Sequence, residues 1–96
     1  MEMLFVISTD RGGRILAPLA HACIRKGIAW GCFFTNDGVR LLADSGIKNL
    51  MDLANQAIAC EHSWQRFMAE KHCPVELGSQ TDHSAMLART ARVITL

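Results

Sequence analysis

Short apolar runs that end at polar, turn-forming residues recur along the chain, and this pattern constrains the fold more than any other feature. The first run, Met3–Ile7, is followed by Ser8, Thr9 and Asp10. A continuous apolar run of this length is typical of a strand that is buried on both faces of a sheet. The other predicted strands cover residues 28–35, 57–60, 74–77 (short or irregular) and 93–96.

The first helix is predicted over residues 14–26, because apolar side chains recur there at helical spacing. Gly27 follows directly and can adopt the left-handed conformation that ends a helix. A proline is tolerated only near the first turn of a helix, and Pro18 lies within this segment. The helix is therefore expected to start as late as Leu16 or Ala17.

A second helix is predicted over residues 36–43, with Asn36 or Asp37 as its cap and Gly46 at its end. Asn and Asp side chains accept hydrogen bonds from the free N–H groups at a helix start. The remaining predicted helical segments are residues 50–54, capped by Asn49, residues 61–70, and a segment that runs from a cap at Thr81 or Asp82 to residue 91.

Strands that alternate with helices in this way indicate βαβ units and a parallel sheet. Right-handed crossovers place such helices on both faces of the sheet. The sequence therefore predicts an α/β fold with three layers, α/β/α, around a mostly parallel sheet of four or five strands. A chain of 96 residues suffices for one small domain, so we expect residues 1–96 to form a single unit.

The charge balance argues against two classes of partner. Ten basic and nine acidic residues give a formal net charge of +1, without the basic excess of a nucleic-acid binder or of a protein drawn to anionic membranes. The longest nearly apolar run, residues 15–24, contains Pro18 and His21 and is shorter than the ~20 residues that span a bilayer. We expect a cytoplasmic protein that binds neither nucleic acid nor membrane.

Cys60 is the candidate reactive residue. In a reducing compartment the four cysteines are expected to be thiols. Cys60 ends a predicted strand and precedes a predicted helix, where free amides and the helix dipole stabilise a thiolate, which is the nucleophilic form. His62 can stabilise the anion or carry a proton, whereas the carboxylate of Glu61 opposes ionisation. Ser63 occupies the position of a second cysteine in a Cys-x-x-Cys pattern, so no neighbouring thiol would discharge a persulfide on Cys60.

The other cysteines have simpler interpretations. Cys23 and Cys32 lie within apolar segments and are expected to fill the core. Cys73 lies in a loop, where it is either incidental or a resolving partner for Cys60, and the incidental role is favoured. Cys60 itself has an alternative interpretation as a buried residue at a strand end. The Cys and His residues match no standard zinc spacing, so neither a metal nor another cofactor is predicted.

Polar residues follow several predicted strands and mark the edge at which α/β proteins bind ligands. Candidate ligand-binding residues are Asn36 and Asp37 after the second strand and Ser79 and His83 before the last helix. The segment 78–84 either holds an anion through its backbone amides or is an ordinary capped turn.

Four segments, in order, resemble the small DsrE/DsrF-like proteins of sulfur relay. These are the opening strand with its glycine-containing turn, the segment 32–39 that runs into Asp37-Gly38-Val39, the segment 58–63 around Cys60, and the closing strand at 91–96. In that family the cysteine that corresponds to Cys60 is often followed by a second cysteine three residues later, where this chain has Ser63.

The resemblance implies an α/β/α fold, homo-oligomers such as trimers or hexamers, and transfer of sulfane sulfur as a cysteine persulfide. The resemblance carries over to Cys60 alone, as the sulfur acceptor, and implies sulfur donor and acceptor proteins as partners. Together with His62 and Ser63, which the local sequence places beside it, Cys60 makes up the expected set of catalytic residues. The alternative is a non-catalytic oligomeric or small-ligand-binding protein of the same fold, with a buried, unreactive Cys60 and a pocket formed by Asn36, Ser79 and His83.

Overall fold

A five-stranded, all-parallel sheet organises the chain in the computed structural model, which describes residues 1–96. The strands are β1 (Met3–Ile7), β2 (Trp30–Phe34), β3 (Gln56–Cys60), β4 (Glu76–Gly78) and β5 (Arg92–Thr95), in the spatial order β4-β3-β2-β1-β5. The helices are α1 (Gly13–Lys26), α2 (Ser45–Met51), α3 (Glu61–Met68) and α4 (Gln80–Ala88), with 3-10 segments at Asp10–Gly12 and Asn36–Ala43. The predicted fold class is confirmed.

The two faces of the sheet carry layers of very different thickness. On one face Phe5, Trp30 and Phe34 belong to a core of 16 buried residues that also takes side chains from α1, α2, α3 and the second 3-10 segment. On the other face Leu4 and Phe33 belong to a core of only six buried residues, to which α4 contributes Met86 alone. The molecule therefore has three layers, a sheet between two helical layers, and one of the helical layers is the single short helix α4.

This asymmetry follows from the strand order. The chain moves across the sheet from β1 to β2, β3 and β4, so crossovers of one hand place all the intervening helices on the same face. The return from β4 to β5 runs the opposite way, which places α4 on the other face. The chain thus leaves β3 toward one face and β4 toward the other, and ligand crevices in α/β sheets form where neighbouring strands diverge in this way. Cys60 and Gly78 are paired in register at this point.

No helix of the structure combines the length and apolar character that a membrane-crossing helix requires.

The helix α1 starts earlier than the sequence predicts. It begins at Gly13, so Pro18 is its sixth residue and removes one hydrogen bond from the helix interior. Leu16 and Ala20 are fully buried against the sheet, and this packing fixes the helix in spite of the lost bond. The predicted end is confirmed, because Gly27 has φ of 67° and its N–H donates to the carbonyls of the last turn.

The segment after β2 differs from the predicted helix and turn. Residues Asn36–Ala43 form a 3-10 segment that no side chain caps, and Asn36 itself has φ of 51°. The predicted stop at Gly46 and cap at Asn49 are both wrong, because both residues lie inside α2. The cap of α2 is Asp44, whose carboxylate accepts a hydrogen bond from the Ile47 N–H at 3.0 Å. Burial of apolar residues spaced at helical intervals across this stretch sets the helix bounds, not the local stop signals.

The start of α4 also differs from the prediction. Its cap is Ser79, whose hydroxyl accepts from the Asp82 N–H, while the Asp82 carboxylate accepts from the Ser79 N–H. Asp82 is therefore the third helical residue of a reciprocal cap and not the cap itself. The helix ends at Ala88, short of the predicted residue 91, because β5 begins at Arg92. The predicted short fourth strand is confirmed as the three residues of β4.

Candidate functional site

Cys60 lies where β3 ends and α3 begins. It is the last residue of the strand and also the N-cap residue of the helix, with extended backbone angles. Its side chain belongs to the smaller core, on the face that α4 covers. The position combines the N-terminal end of a helix with the crevice between the diverging strands β3 and β4, as the position of Cys60 in the sequence predicts.

Four hydrogen-bond donors surround the sulfur of Cys60. They are the backbone N–H groups of His62 and Ser63, the hydroxyl of Ser63 and the side-chain amide of Gln80, whose Nε2 lies 3.7 Å from Sγ. Burial by itself raises the pKa of the Cys60 thiol. The hydrogen bonds outweigh that effect, with those from Ser63 ahead of those from His62 and Gln80, and the pKa is lowered from its ordinary value. The thiolate is therefore the form that this environment stabilises.

The hydroxyl of Ser63 is fixed by the end of the neighbouring strand β2. Its Oγ accepts a hydrogen bond from the Asn36 N–H at 2.9 Å and lies 3.5 Å from Thr35 Oγ1. Because the oxygen is already an acceptor on that side, its own proton is available to the sulfur of Cys60. Ser63 is the only polar residue among the buried residues of the chain. It connects the end of β2 with the sulfur of Cys60 at the end of β3.

A second set of contacts comes from α4. The Oε1 atom of Gln80 lies 3.2 Å from Nδ1 of His83, and since an amide oxygen only accepts, Nδ1 carries the proton. The His83 ring is stacked on Phe33 with centroids 4.3 Å apart. Its Nε2 atom is buried without a hydrogen-bond partner, and burial lowers the pKa of His83. A neutral His83 therefore orients the Gln80 amide so that its NH₂ group points toward Cys60.

The absence of a side chain at Gly78 lets α4 start this close to Cys60. A Cβ atom at Gly78 would lie 2.6 Å from a methyl group of Ile58 and 2.8 Å from the Asp82 carboxylate. Glycine is therefore required where the reciprocal cap of α4 packs on the sheet edge, and Gln80 follows two residues later.

Cys60 is 5 % exposed, and the exposed side chain of Gln80 is in contact with its sulfur. Gln80 is at the start of α4, and its long side chain can change rotamer without unfolding the helix. The alternative interpretation expects Cys60 to be buried and unreactive, and the first of these two properties is observed. The surroundings of the sulfur are nevertheless polar and donor-rich, unlike those of a residue that only fills the core.

The structure gives the other predicted site residues different roles. The side chain of His62 is exposed and makes no hydrogen bond, so this residue contributes its backbone N–H alone. Asn36 also contributes through its backbone, and the Asp37 side chain makes no hydrogen bond. Ser79 caps α4.

The predicted pocket of Asn36, Ser79 and His83 is not among the main cavities of the molecule, which other residues line. The reason is that each of these residues is engaged locally, in a turn, a helix cap and an aromatic stack. No three His, Cys, Asp or Glu side chains are arranged to hold a metal ion.

The remaining cysteines are separated from Cys60 by the sheet. Cys23 and Cys32 are buried in the larger core, as predicted, and burial raises the pKa of both thiols. Cys73 is half-buried, packs against the same larger core, and also has a pKa raised by burial. Its placement on the opposite face supports the incidental role over that of a resolving partner. All four cysteines are free thiols.

Sequence reasoning missed Gln80 and Thr35. Neither has a local signal, since Gln80 is one polar residue among several at the start of α4 and Thr35 reads as the end of a strand. The only usable hint for Gln80 was its distance of three residues from His83, which places both on one side of a helix. The contact with Cys60 requires knowledge that β4 lies beside β3.

Comparison with known proteins found no matching family model, and no curated protein or solved structure with significant similarity to the chain. The resemblance to the DsrE/DsrF-like family stays a prediction that rests on the four sequence segments.

Proposed function

We propose that the protein is a sulfur carrier, which holds sulfane sulfur as a persulfide on Cys60 and passes it to a thiol of a partner protein. One feature carries this proposal: the Cys60 sulfur lies at the start of α3 with the Gln80 amide nitrogen 3.7 Å away, and hydrogen bonds from Ser63, His62 and Gln80 lower its pKa although the residue is buried. Such an environment favours the nucleophilic thiolate and equally favours the anionic form of a persulfide.

The transfer needs no oxidant or reductant. The Cys60 thiolate attacks the outer sulfur of a donor persulfide, R–S–SH, and forms a new S–S bond while the S–S bond of the donor breaks. The products are Cys60–S–SH and the donor thiolate, R–S⁻, which leaves with the electron pair. An acceptor thiolate then attacks the outer sulfur in the same way and regenerates the Cys60 thiolate.

Ser63 supports storage of sulfur over its immediate release. A cysteine at this position would lie within reach of Cys60 and attack its persulfide, whereas a hydroxyl donates a hydrogen bond and leaves the S–S bond intact. Cys73 packs on the other face of the sheet and offers no internal route for discharge. A carrier with one reactive cysteine depends on a second protein to accept its sulfur.

Donor and acceptor proteins are therefore the proposed partners, in a reducing, cytoplasmic setting. We also propose self-association into a trimer or hexamer. In support of this, Leu87 of α4 and Val93 of β5 are 39 % and 43 % exposed, on the two elements that border the thinner layer. A face with so little covering is a natural place for contact with another chain.

The alternative function is a non-catalytic oligomeric or small-ligand-binding protein of the same fold. The 5 % exposure of Cys60 favours it, because a buried thiol reacts slowly with a bulky partner. The two functions differ in one measurable property, which is whether Cys60 accepts sulfur.

The test is mass spectrometry after incubation with a small persulfide donor, such as cysteine persulfide. We expect one added sulfur atom, with the modification located on Cys60 by peptide mapping. Cys73→Ser is the matched control, since it removes the most exposed of the other thiols and should leave the added mass unchanged. Equal uptake by Cys60→Ser and the native chain would rule the proposal out and leave the alternative.

A further inference from the structure

The largest cavity of the molecule lies far from Cys60, between α1 and α2. This α1–α2 cleft has a volume of about 920 Å³, and its walls are residues of the first 3-10 segment, of α1 and of α2. Both helices belong to the thicker layer, on the opposite face of the sheet from Cys60. The volume lies within the range of small-molecule sites, roughly 300–1,000 Å³, and exceeds what an inorganic ion requires.

One wall of the cleft is a single side of α1. Arg14, Ala17 and His21 line it at spacings of three and four residues, which places them one above the other along about 10 Å of helix. Arg11 precedes the helix and lines the same end of the cleft as Arg14. The wall therefore has a cationic end, a small apolar middle and an imidazole at its far end.

The opposite wall is apolar except for Asp44. Leu41, Ile47 and Leu50 line the cleft, and the last two are also members of the larger core. Gly46 adds no side chain to this wall. A flat apolar group placed here would cover Ala17 on one side and Leu50 on the other.

The acidic side chains of the cleft have partners, whereas two of its basic side chains have none. Its two carboxylates are engaged, since Asp44 caps α2 and Asp10 lies 3.8 Å from the guanidinium of Arg40. Arg11 and Arg14 have neither an ion pair nor a hydrogen bond. The charged groups of the cleft that have no partner are therefore the guanidinium groups of Arg11 and Arg14, which can bind the anionic group of a ligand.

We propose that the α1–α2 cleft binds a small organic phosphate ester. Its phosphate lies between Arg11 and Arg14, because planar guanidinium groups donate paired hydrogen bonds to phosphate oxygens. Its planar apolar group lies between Ala17 and Leu50. This site is independent of the sulfur chemistry at Cys60.

The test uses 1-naphthyl phosphate as the probe, with inorganic phosphate and 1-naphthol as the two halves of its chemistry. We expect the intact probe to shift amide resonances of residues 10–21 and 44–50 in a saturable way, and to bind more tightly than either half. An absence of saturable shifts in these two segments at millimolar probe would overturn the proposal.

Two variants separate charge from volume. Arg14→Ala should weaken binding of 1-naphthyl phosphate about tenfold, since it removes a charge-assisted contact. Ala17→Leu should weaken it by filling the apolar part of the cleft. Arg25→Ala is the matched control, because Arg25 is an exposed arginine of α1 outside the cleft. Equal losses in Arg14→Ala and Arg25→Ala would show nonspecific attraction and overturn the proposal.

Thermal unfolding of each variant confirms that the fold is retained before binding is compared. The Cys60→Ser variant should bind the probe like the native chain. A failure of sulfur transfer with intact probe binding, or the reverse, therefore distinguishes this inference from the proposed function.

Discussion

Cys32 and Cys60 lie on neighbouring strands and are almost equally buried, at 0 % and 5 % exposure. The pKa values of their thiols are nevertheless shifted in opposite directions. Burial raises the pKa of the Cys32 thiol far above its ordinary range, because an apolar strand interior disfavours the thiolate. At Cys60 the same effect of burial is outweighed by donors from α3 and from Gln80, and the pKa is lowered. Burial alone therefore does not decide reactivity. At the end of a strand, the helices that start there offer N–H and hydroxyl groups to the sulfur, whereas the middle of a strand has no such donors.

The largest expected effect is a difference in alkylation between these two thiols. Under native conditions iodoacetamide should modify Cys60 about a hundredfold faster than Cys32, since Cys32 is both protonated and sealed. The rate at Cys60 should rise with pH, with a midpoint below the ordinary thiol pKa of 9.0. Peptide mapping over a time course measures both rates.

Cys23 serves as a third thiol in the same experiment, because it is buried with a raised pKa and should follow Cys32. Similar rates at Cys32 and Cys60 would break the comparison, and the donors around Cys60 would then have no chemical effect.

The next largest effect is expected from Ser63→Ala. The change removes the hydroxyl donor from Cys60 and leaves the Asn36 N–H without its acceptor. The pKa of Cys60 should rise, and alkylation at pH 7 should slow by about tenfold. The free energy of unfolding should fall by about 1–3 kcal/mol, because a partly buried amide loses its partner.

Ser84→Ala is the control for this variant, since Ser84 is exposed and makes no hydrogen bond. The pH profile of alkylation and a urea titration measure the two effects. A pKa that stays the same in Ser63→Ala would show that the backbone N–H groups suffice.

The smallest effect, and the sharpest, is expected from Gln80→Ala. Loss of the amide raises the pKa of Cys60, which lowers the thiolate fraction at neutral pH, but it also uncovers the sulfur. The two consequences separate in the pH profile, where the midpoint should move up slightly and the plateau rate should rise a few-fold.

Thr81→Ala is the matched control, because Thr81 is the next exposed residue of α4 and makes no side-chain hydrogen bond. A plateau that does not rise in Gln80→Ala would show that Gln80 does not limit access to Cys60.

The strands could be predicted because their signal is local. The run Met3–Ile7 is apolar throughout and is β1 to the residue, and Gly27 ends α1 as its backbone freedom requires. Local signals misled where they competed with burial. Gly46 and Asn49 read as helix boundaries, but the contacts of Ile47 and Leu50 with the core hold both inside α2.

The candidate site was predictable in part for the same reason. The position of Cys60 between a strand and a helix, with Ser63 one turn later, is written in consecutive residues. Asn36 and His83 were singled out as ligand-binding residues, whereas the structure gives them supporting roles, one through its backbone N–H and one through Gln80. Those roles depend on contacts between residues 20 to 27 positions apart in the chain.

The sequence by itself determined the alternation of strands and helices, and it placed one cysteine at a helix start, because periodicity, turn residues and helix ends are properties of short segments. The tertiary structure alone decided that the chain leaves the neighbouring strands β3 and β4 toward opposite faces of the sheet, and that α4 is the only helix on one face. It also decided that Gln80 and Ser63 both contact the sulfur of Cys60. The physical reason is that strand order and sheet face are set by the burial of many distant side chains at once, and no short segment contains that information.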